Sequence, residues 1–188
     1  MTLTAEAIDR RASTIRMILF DVDGVLTDGR VIINSDGSES KTFAIRDGIA
    51  MVWAQRVGIK VGFLSARLSP TTPVRAAQLG VTLVYHGVSS KLATYERILA
   101  DHGLHDGEVA YMGDDVVDLA VLARVGLATA PGDCVAEVAS RAHWVTSANG
   151  GDGAARELVE RILRVQGHWG GVVDSYLHEP SEVGSPDK

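Results

Sequence analysis

Asp21, Asp23, Ser65 and Asp114 combine residue types and positions that suit chemistry on a charged substrate. Each closely follows a short apolar run: MILF before Asp21, VGFL before Ser65, and Glu108–Met112 before Gly113-Asp114. Such runs, ending in polar, glycine-containing breaks, read as buried parallel strands. In open α/β sheets ligands bind beyond the carboxyl ends of the strands, so these four residues should converge there. Two carboxylates two residues apart in a partly buried crevice repel each other and lose hydration. A cation offsets that cost, and an oxygen-rich cluster of this kind suits Mg²⁺.

Several chemistries compete for the pair Asp21-x-Asp23. An EF-hand calcium loop needs a third ligand at the next alternate position, with glycine after it. Val25 and Leu26 stand there instead, and a strand rather than a helix precedes the loop. No G-x-x-x-x-G-K-[ST] phosphate loop occurs, and no G-x-G pattern follows the first strand, so nucleotide-binding folds of those kinds gain no support. A structural turn, in which the Asp side chains cap backbone N–H groups, stays open. So does acyl-phosphate chemistry, with Asp21 attacking phosphorus and Asp23 protonating the leaving oxygen. Those two roles need opposite protonation states, and a metal on Asp21 alone would separate them.

The elements that must position these residues alternate along the chain. Residues 4–13 read as a short polar helix capped by Thr4 or equally as a frayed end, in an N-terminal extension over 1–15. Strands are expected at Met17–Phe20, Val61–Leu64, Val81–Tyr85, Glu108–Met112, Gly126–Ala130 and His143–Thr146. Between them lie helices over Gly48–Val57 (capped by Asp47), from Pro73 to Gly80, from a cap at Ser89 or Ser90 to about His102, over 115–124, over 133–140 and over 153–166. The β-branched runs Arg30–Ile33 and Lys41–Ile45 flank Asp36-Gly37 and read as a hairpin spanning 30–45. Strands alternating with helices of about ten residues indicate a doubly wound, parallel α/β sheet, here one domain over 16–169. Residues 170–188, rich in Gly, Ser, Pro and acids, read as a flexible tail, although Trp169 and Tyr176 are large apolar groups able to dock.

Composition narrows the function. A net charge of −6 without a Lys/Arg cluster argues against a nucleic-acid surface. No apolar run approaches a membrane span, and the N-terminus lacks the apolar region of a secretory signal, so a cytoplasmic protein is expected. The single cysteine, Cys134, leaves no disulfide framework or thiolate zinc site and reads as a small core residue.

The stretch DVDGVLTDG resembles motif I of the haloacid dehalogenase superfamily in its phosphatase form. Ser65 matches the motif II hydroxyl, Lys91 at a helix start the motif III lysine, and Gly113-Asp114-Asp115-x-x-Asp118 the motif IV acidic cluster. All four occur in the expected order. The resemblance implies a Rossmann-like fold and a Mg²⁺ site made by Asp21, Asp114 and the Asp23 carbonyl. It implies phosphate binding by Ser65, Lys91 and the Ala66 backbone, with Asp115 and Asp118 behind the metal or orienting Lys91. The intervals between motifs hold one hairpin and short helices, with no room for a cap domain.

The resemblance then narrows. Phe43-x-x-Arg46-Asp47-Gly48, Gly87-x-x-x-Lys91 and Gly150-Gly151-x-Gly153-Ala154-x-Arg156-Glu157 look like the 3-deoxy-D-manno-octulosonate 8-phosphate phosphatases. That likeness implies a small phosphorylated sugar acid as substrate and a homotetramer assembled through the hairpin. Arg46, Arg67 and His86 become candidate substrate contacts. The sequence departs from the family at Ser65-Ala66-Arg67, at His86-Gly87 and at Ser90, which bears on substrate rather than on phosphate chemistry. The alternatives are a cap-less phosphatase for a nine-carbon ulosonate phosphate, another sugar phosphate or a nucleotide, or a non-catalytic regulatory domain of the same fold.

Overall fold

The four side chains of β1 (Met17–Phe20) alternate between two cores, and the rest of the molecule is layered accordingly. Ile18 and Phe20 face one side of the sheet, Met17 and Leu19 the other, and none is exposed. Full burial of each such side chain contributes roughly 1.5–3 kcal/mol. The computed structural model describes residues 3–177. Besides β1, the main sheet contains β4 (Lys60–Ser65), β5 (Leu83–His86), β6 (Val109–Met112), β7 (Leu127–Ala130) and β8 (Trp144–Val145). All pair in parallel, in the order β5-β4-β1-β6-β7-β8.

The helices divide between the two faces. On the Phe20 side lie α1 (Ala5–Ala12), α2 (Ile45–Arg56), α3 (Thr71–Gln78), α7 (Ala154–Val165) and α8 (Trp169–Leu177). On the Leu19 side lie α4 (Lys91–His102), α5 (Leu119–Leu122) and α6 (Ala136–Ala139). The chain leaves β1 for β4 on one side and reaches β6 on the other. The crevice beyond the ends of these three strands is therefore the topological switch point, where such sheets bind ligands. This is the doubly wound parallel sheet expected from the alternating pattern. No cap domain interrupts it among the described residues.

Local readings differ from the structure where distant contacts decide. The hairpin is a ribbon of β2 (Ile32–Ile33) and β3 (Glu39–Ser40), with Ile32 opposite Ser40 and Ile33 opposite Glu39. The second strand thus lies earlier than the expected Lys41–Ile45, whose last residue already begins α2. Residues 115–124 form a 3₁₀ turn (Val116–Asp118) and one α-turn instead of a continuous helix. The N-terminal helix is capped by Thr4 as expected, but it is no loose extension. Ile8 and Ala12 are buried in the core, and Arg161 reaches Asp9 at 2.9 Å.

At the other end, α8 occupies residues read as tail. Trp53 donates from Nε1 to the Tyr176 hydroxyl at 3.0 Å and meets the Trp169 ring edge-on, with centroids 5.5 Å apart. The rest of that tail, 178–188, lies outside the described residues.

Asp47 does not cap its own helix. α2 starts at Ile45, and the buried Asp47 carboxylate accepts hydrogen bonds from Gly153 N (3.2 Å) and Arg156 N (2.8 Å), the first turn of α7. It caps a helix more than a hundred residues away. That contact fixes the loop before α7 against the loop after β1, where Gly151 N donates to Val25 O at 2.9 Å. A Cβ on Gly150 would overlap the Gly24 carbonyl, so only glycine allows this approach. Replacing Asp47 by Ala leaves two buried N–H groups unpaired and should lower stability by about 1–3 kcal/mol, read as the urea unfolding midpoint at constant slope.

Candidate active site

Three loops and the start of one helix converge beyond the sheet. The loop after β1 brings Asp21 and Asp23, that after β4 brings Ser65, Ala66 and Arg67, and that after β6 brings Asp114 and Asp115. Lys91 enters from the first turn of α4, which Ser90 caps through its hydroxyl to Ala93 N. Together with Gly29 and Val117 these residues line a cavity of about 240 Å³. A larger groove of about 580 Å³ between α1 and α7 is lined by charges largely paired with one another, such as Arg161 with Asp9 and Arg164 with Glu160.

The loop after β1 is shaped by Thr27, whose buried hydroxyl accepts from Gly24 N (3.3 Å) and Gly29 N (3.2 Å). Gly24 takes a positive φ of 87°, and a Cβ there would overlap the Asp114 carboxylate. The glycine thus admits Asp114 beside Asp21. Oxygens of Asp21, Asp114 and Asp118 all lie within 4.8 Å of one another.

This much negative charge is offset by one buried ammonium. Lys91 Nζ lies 3.0 Å from Asp21 Oδ1 and 2.5 Å from Asp118 Oδ1. Burial alone would lower its pKa, but the two carboxylates outweigh burial and hold the lysine protonated. Asp118, fully buried, is committed to structure. Its Oδ1 also accepts from the Tyr111 hydroxyl at 2.5 Å, and its Oδ2 accepts from Asp114 N (3.0 Å) and Asp115 N (3.3 Å). Asp115 caps the 3₁₀ turn by accepting from Val116 N at 2.6 Å.

Asp114 Oδ1 differs from these in being buried without a partner, and Asp21 Oδ1 is buried with only its ion pair to Lys91. Desolvation first, then neighbouring carboxylates, push the pKa of each up to about 7. A pair of carboxylates held this way is incomplete without a cation. The donor set is all oxygen, with one Asp114 oxygen unpartnered and Asp21 held only by Lys91, and it fits a divalent metal ion.

The other expected site residues divide. Ser65 is buried and lines the cavity, as do Ala66 and Arg67, but the Arg67 Nη2 is 2.6 Å from Glu39 Oε2. His86 stands beside Ser65 in the sheet register, with a buried Nδ1 that has no hydrogen-bond partner. Arg46 is not brought to the cavity within one chain. It is exposed, 3.8 Å from Asp152, and lines the groove beside α7. Two residues at the centre escape the sequence reading. Tyr111 reads as an ordinary strand aromatic, although a hydroxyl within the run VAYM is a hint that a buried polar partner awaits it. Lys41 reads as part of a strand, yet its side chain is fully buried, with Nζ 2.6 Å from Asp23 Oδ1.

Comparison with known proteins points the same way as the geometry. The haloacid dehalogenase-like hydrolase family matches residues 64–158. The 3-deoxy-D-manno-octulosonate 8-phosphate phosphatase of Yersinia pestis is 38% identical over 162 residues, 86% of this chain and 87% of that protein. Its crystal structure superposes with a TM-score of 0.88, covering 89% of this chain and 91% of that one. A crystal structure of the Moraxella catarrhalis phosphatase, in complex with a magnesium ion, a phosphate ion and KDO, has a TM-score of 0.90 at 29% identity. It covers 92% of this chain and 99% of that one.

The raised carboxyl values predict a pH signature. Asp21 and Asp114 carry protons in the folded state between 3.8 and about 7 that the unfolded chain has released. Stability from this pair therefore falls as pH rises through that window in metal-free protein. Because metal binds the deprotonated pair, added Mg²⁺ should raise the Tm more at about pH 8 than at about pH 5.5. Asp114→Asn should abolish the difference. Equal Tm shifts at both pH values, or an undiminished shift in the variant, would exclude these ligands.

Proposed function

The chain belongs to the haloacid dehalogenase-like hydrolases and is a phosphoric monoester hydrolase, and we propose that its substrate is 3-deoxy-D-manno-octulosonate 8-phosphate, cleaved with Mg²⁺ through a phosphorylated Asp21. The observation that carries the mechanism is the buried Asp21, flanked by Lys91 and by the unpaired oxygen of Asp114 at the mouth of an open cavity. The substrate is supported by identity to phosphatases of that name over most of both chains.

Asp21 and Asp114, with the Asp23 carbonyl, would hold the Mg²⁺. When bound, the ion neutralises the carboxylates and the charge on the phosphate oxygens. Asp21 is then an ionised nucleophile. Its oxygen forms a bond to phosphorus while the bond from phosphorus to the sugar oxygen breaks. Asp23 gives its proton to that leaving oxygen, which departs as an alcohol. Lys91 and the Ser65 hydroxyl hold phosphate oxygens and offset charge that grows on them. Water next attacks the phosphorus of the aspartyl phosphate, Asp23 accepts its proton, and phosphate leaves with Asp21 restored. Asp118 keeps Lys91 in place throughout. Arg67, which lines the cavity and shares its guanidinium with Glu39, is the candidate contact for the carboxylate of the sugar acid, and His86, beside Ser65 in the sheet but not lining the cavity, is a more distant candidate.

The open mouth implies a neighbour. Ile32, Ile33 and Leu68 are exposed around the hairpin and the loop after β4. A two-stranded ribbon alone is marginal in water. We infer that hairpins of neighbouring subunits pack together in a homotetramer, and that the enzyme works in the cytoplasm. The non-catalytic alternative has no support from the site, because Asp21, Asp23, Lys91 and Asp114 are all present.

Turnover of p-nitrophenyl phosphate should require Mg²⁺, and Asp21→Asn should reduce it by about four orders of magnitude. Metal-independent activity, or an active variant, would overturn the mechanism. In a phosphate-release screen, the eight-carbon sugar-acid phosphate should outrun nine-carbon ulosonate, hexose and nucleotide phosphates. A different winner would replace the substrate while leaving the chemistry. Sizing at several concentrations should give a tetramer, and a persistent monomer would refute the shared assembly.

A further inference from the structure

The ribbon does more than stand over the site: Glu39 in its second strand and Lys41 just after it contact residues that line the site. Glu39 and Lys41 are two residues apart in extended chain and therefore share a face. Both turn inward, while Ile32 and Ile33 on the opposing strand are exposed. Glu39 engages Arg67 at 2.6 Å and the Ser69 hydroxyl, both in the loop after β4. Lys41 reaches the loop after β1, where its Nζ lies 2.6 Å from Asp23 Oδ1.

Burying an ammonium is unfavourable unless its charge is compensated. Lys41 has no exposed side-chain surface and no hydrogen bond. Among the described residues its one ion pair is with Asp23. Both Asp23 carboxylate oxygens likewise lack hydrogen-bond donors. Nothing in the backbone holds the Asp23 side chain, so the lysine is what fixes it. Asp23 also stands outside the group of carboxylates whose oxygens approach within 4.8 Å. The two buried lysines thus serve different acids: Lys91 contacts Asp21 and Asp118, Lys41 contacts Asp23.

We propose that Lys41 is a positioning residue for Asp23. Through its contact with Oδ1 it keeps the Asp23 carboxyl at the cavity mouth, apart from Asp21 and Asp114, where the leaving oxygen must sit; the contact is an ion pair while Asp23 is ionised and a donor contact to Oδ1 when Oδ2 carries the proton that Asp23 gives. The inference rests on the role given to Asp23 above, and it makes alignment of the acid depend on the seating of the ribbon. The proton still passes from Asp23 to the leaving oxygen; Lys41 exchanges none.

Leaving-group dependence tests this directly. An alkoxide must be protonated as it leaves, whereas p-nitrophenolate need not be. The comparison uses kcat/KM, which ends at phosphorylation of Asp21, for wild type, Lys41→Met and Lys41→Gln. The substrates are p-nitrophenyl phosphate and the sugar phosphate that the wild type cleaves fastest. Lys41→Met should lose about 100-fold on the sugar phosphate and only a few-fold on p-nitrophenyl phosphate. Inhibition by inorganic phosphate should be unchanged, and Lys41→Gln, which keeps polarity but not charge, should show the same selective loss. Equal losses on both substrates, weaker phosphate inhibition, or no loss in either folded variant would overturn the proposal. A wild type inactive on both substrates would instead refute the phosphatase mechanism, so the two failures are distinct.

Discussion

The structure is organised around a concentration of negative charge that water does not relieve. Asp21, Asp114 and Asp118 share a crevice at the switch point of a parallel sheet, and one ammonium, Lys91, sits among them. The charges are not equivalent. Asp118 is saturated by Lys91, Tyr111 and two backbone N–H groups, so it behaves as a fixed counter-charge. Asp114 keeps a buried oxygen with no hydrogen bond and Asp21 one held only by Lys91, an unfavourable arrangement that a further cation would relieve. Binding capacity is thus stored as an unfavourable arrangement that the rest of the fold must hold in place.

Much of the remaining sequence serves that restraint. Gly24 and Gly150 remove side chains where the Asp114 carboxylate and the Gly24 carbonyl need the space. Thr27 ties the loop after β1 into a closed turn, and Asp47 pins the start of α7, whose preceding loop backs that turn. Deeper still, β1 anchors both cores through alternate side chains, so Asp21 issues from a central, fully buried strand of the sheet. The ribbon is the exception. Its own pairing is short and its apolar side chains are exposed, yet it supplies the counter-charges for Asp23 and Arg67. Chemistry that needs a rigid nucleophile and an adjustable outer shell is well served by this division.

What could be read in the sequence follows from the same physics. Apolar runs ending in Asp21, Ser65 and Asp114 revealed both the parallel sheet and the convergence of these residues, because burial on two faces and a carboxyl-edge site leave a local signature. The roles of Asp47, Lys41 and Tyr111 stayed hidden, since each depends on a partner brought close only by the tertiary fold. Asp47 looked like the cap of its own helix, a short-range rule overruled by the N–H groups of α7. The strand expected at Lys41–Ile45 yielded to helix from Ile45. Gly170 and Gly171 disguised α8 as tail, because glycine disfavours an isolated helix; the docking of Trp169 and Tyr176 on Trp53 compensates. Arg46 was matched by resemblance to the substrate site, but within a single chain it faces the groove by α7.

The central claim is that Asp21 becomes covalently phosphorylated. Acid quenching during turnover, followed by borohydride reduction and peptide mass spectrometry, reads this directly, because reduction of an aspartyl phosphate leaves homoserine. Homoserine is expected at position 21 in enzyme quenched with substrate and none in enzyme quenched without it. Sustained turnover with position 21 unmodified, or with the label on another carboxylate, would contradict it.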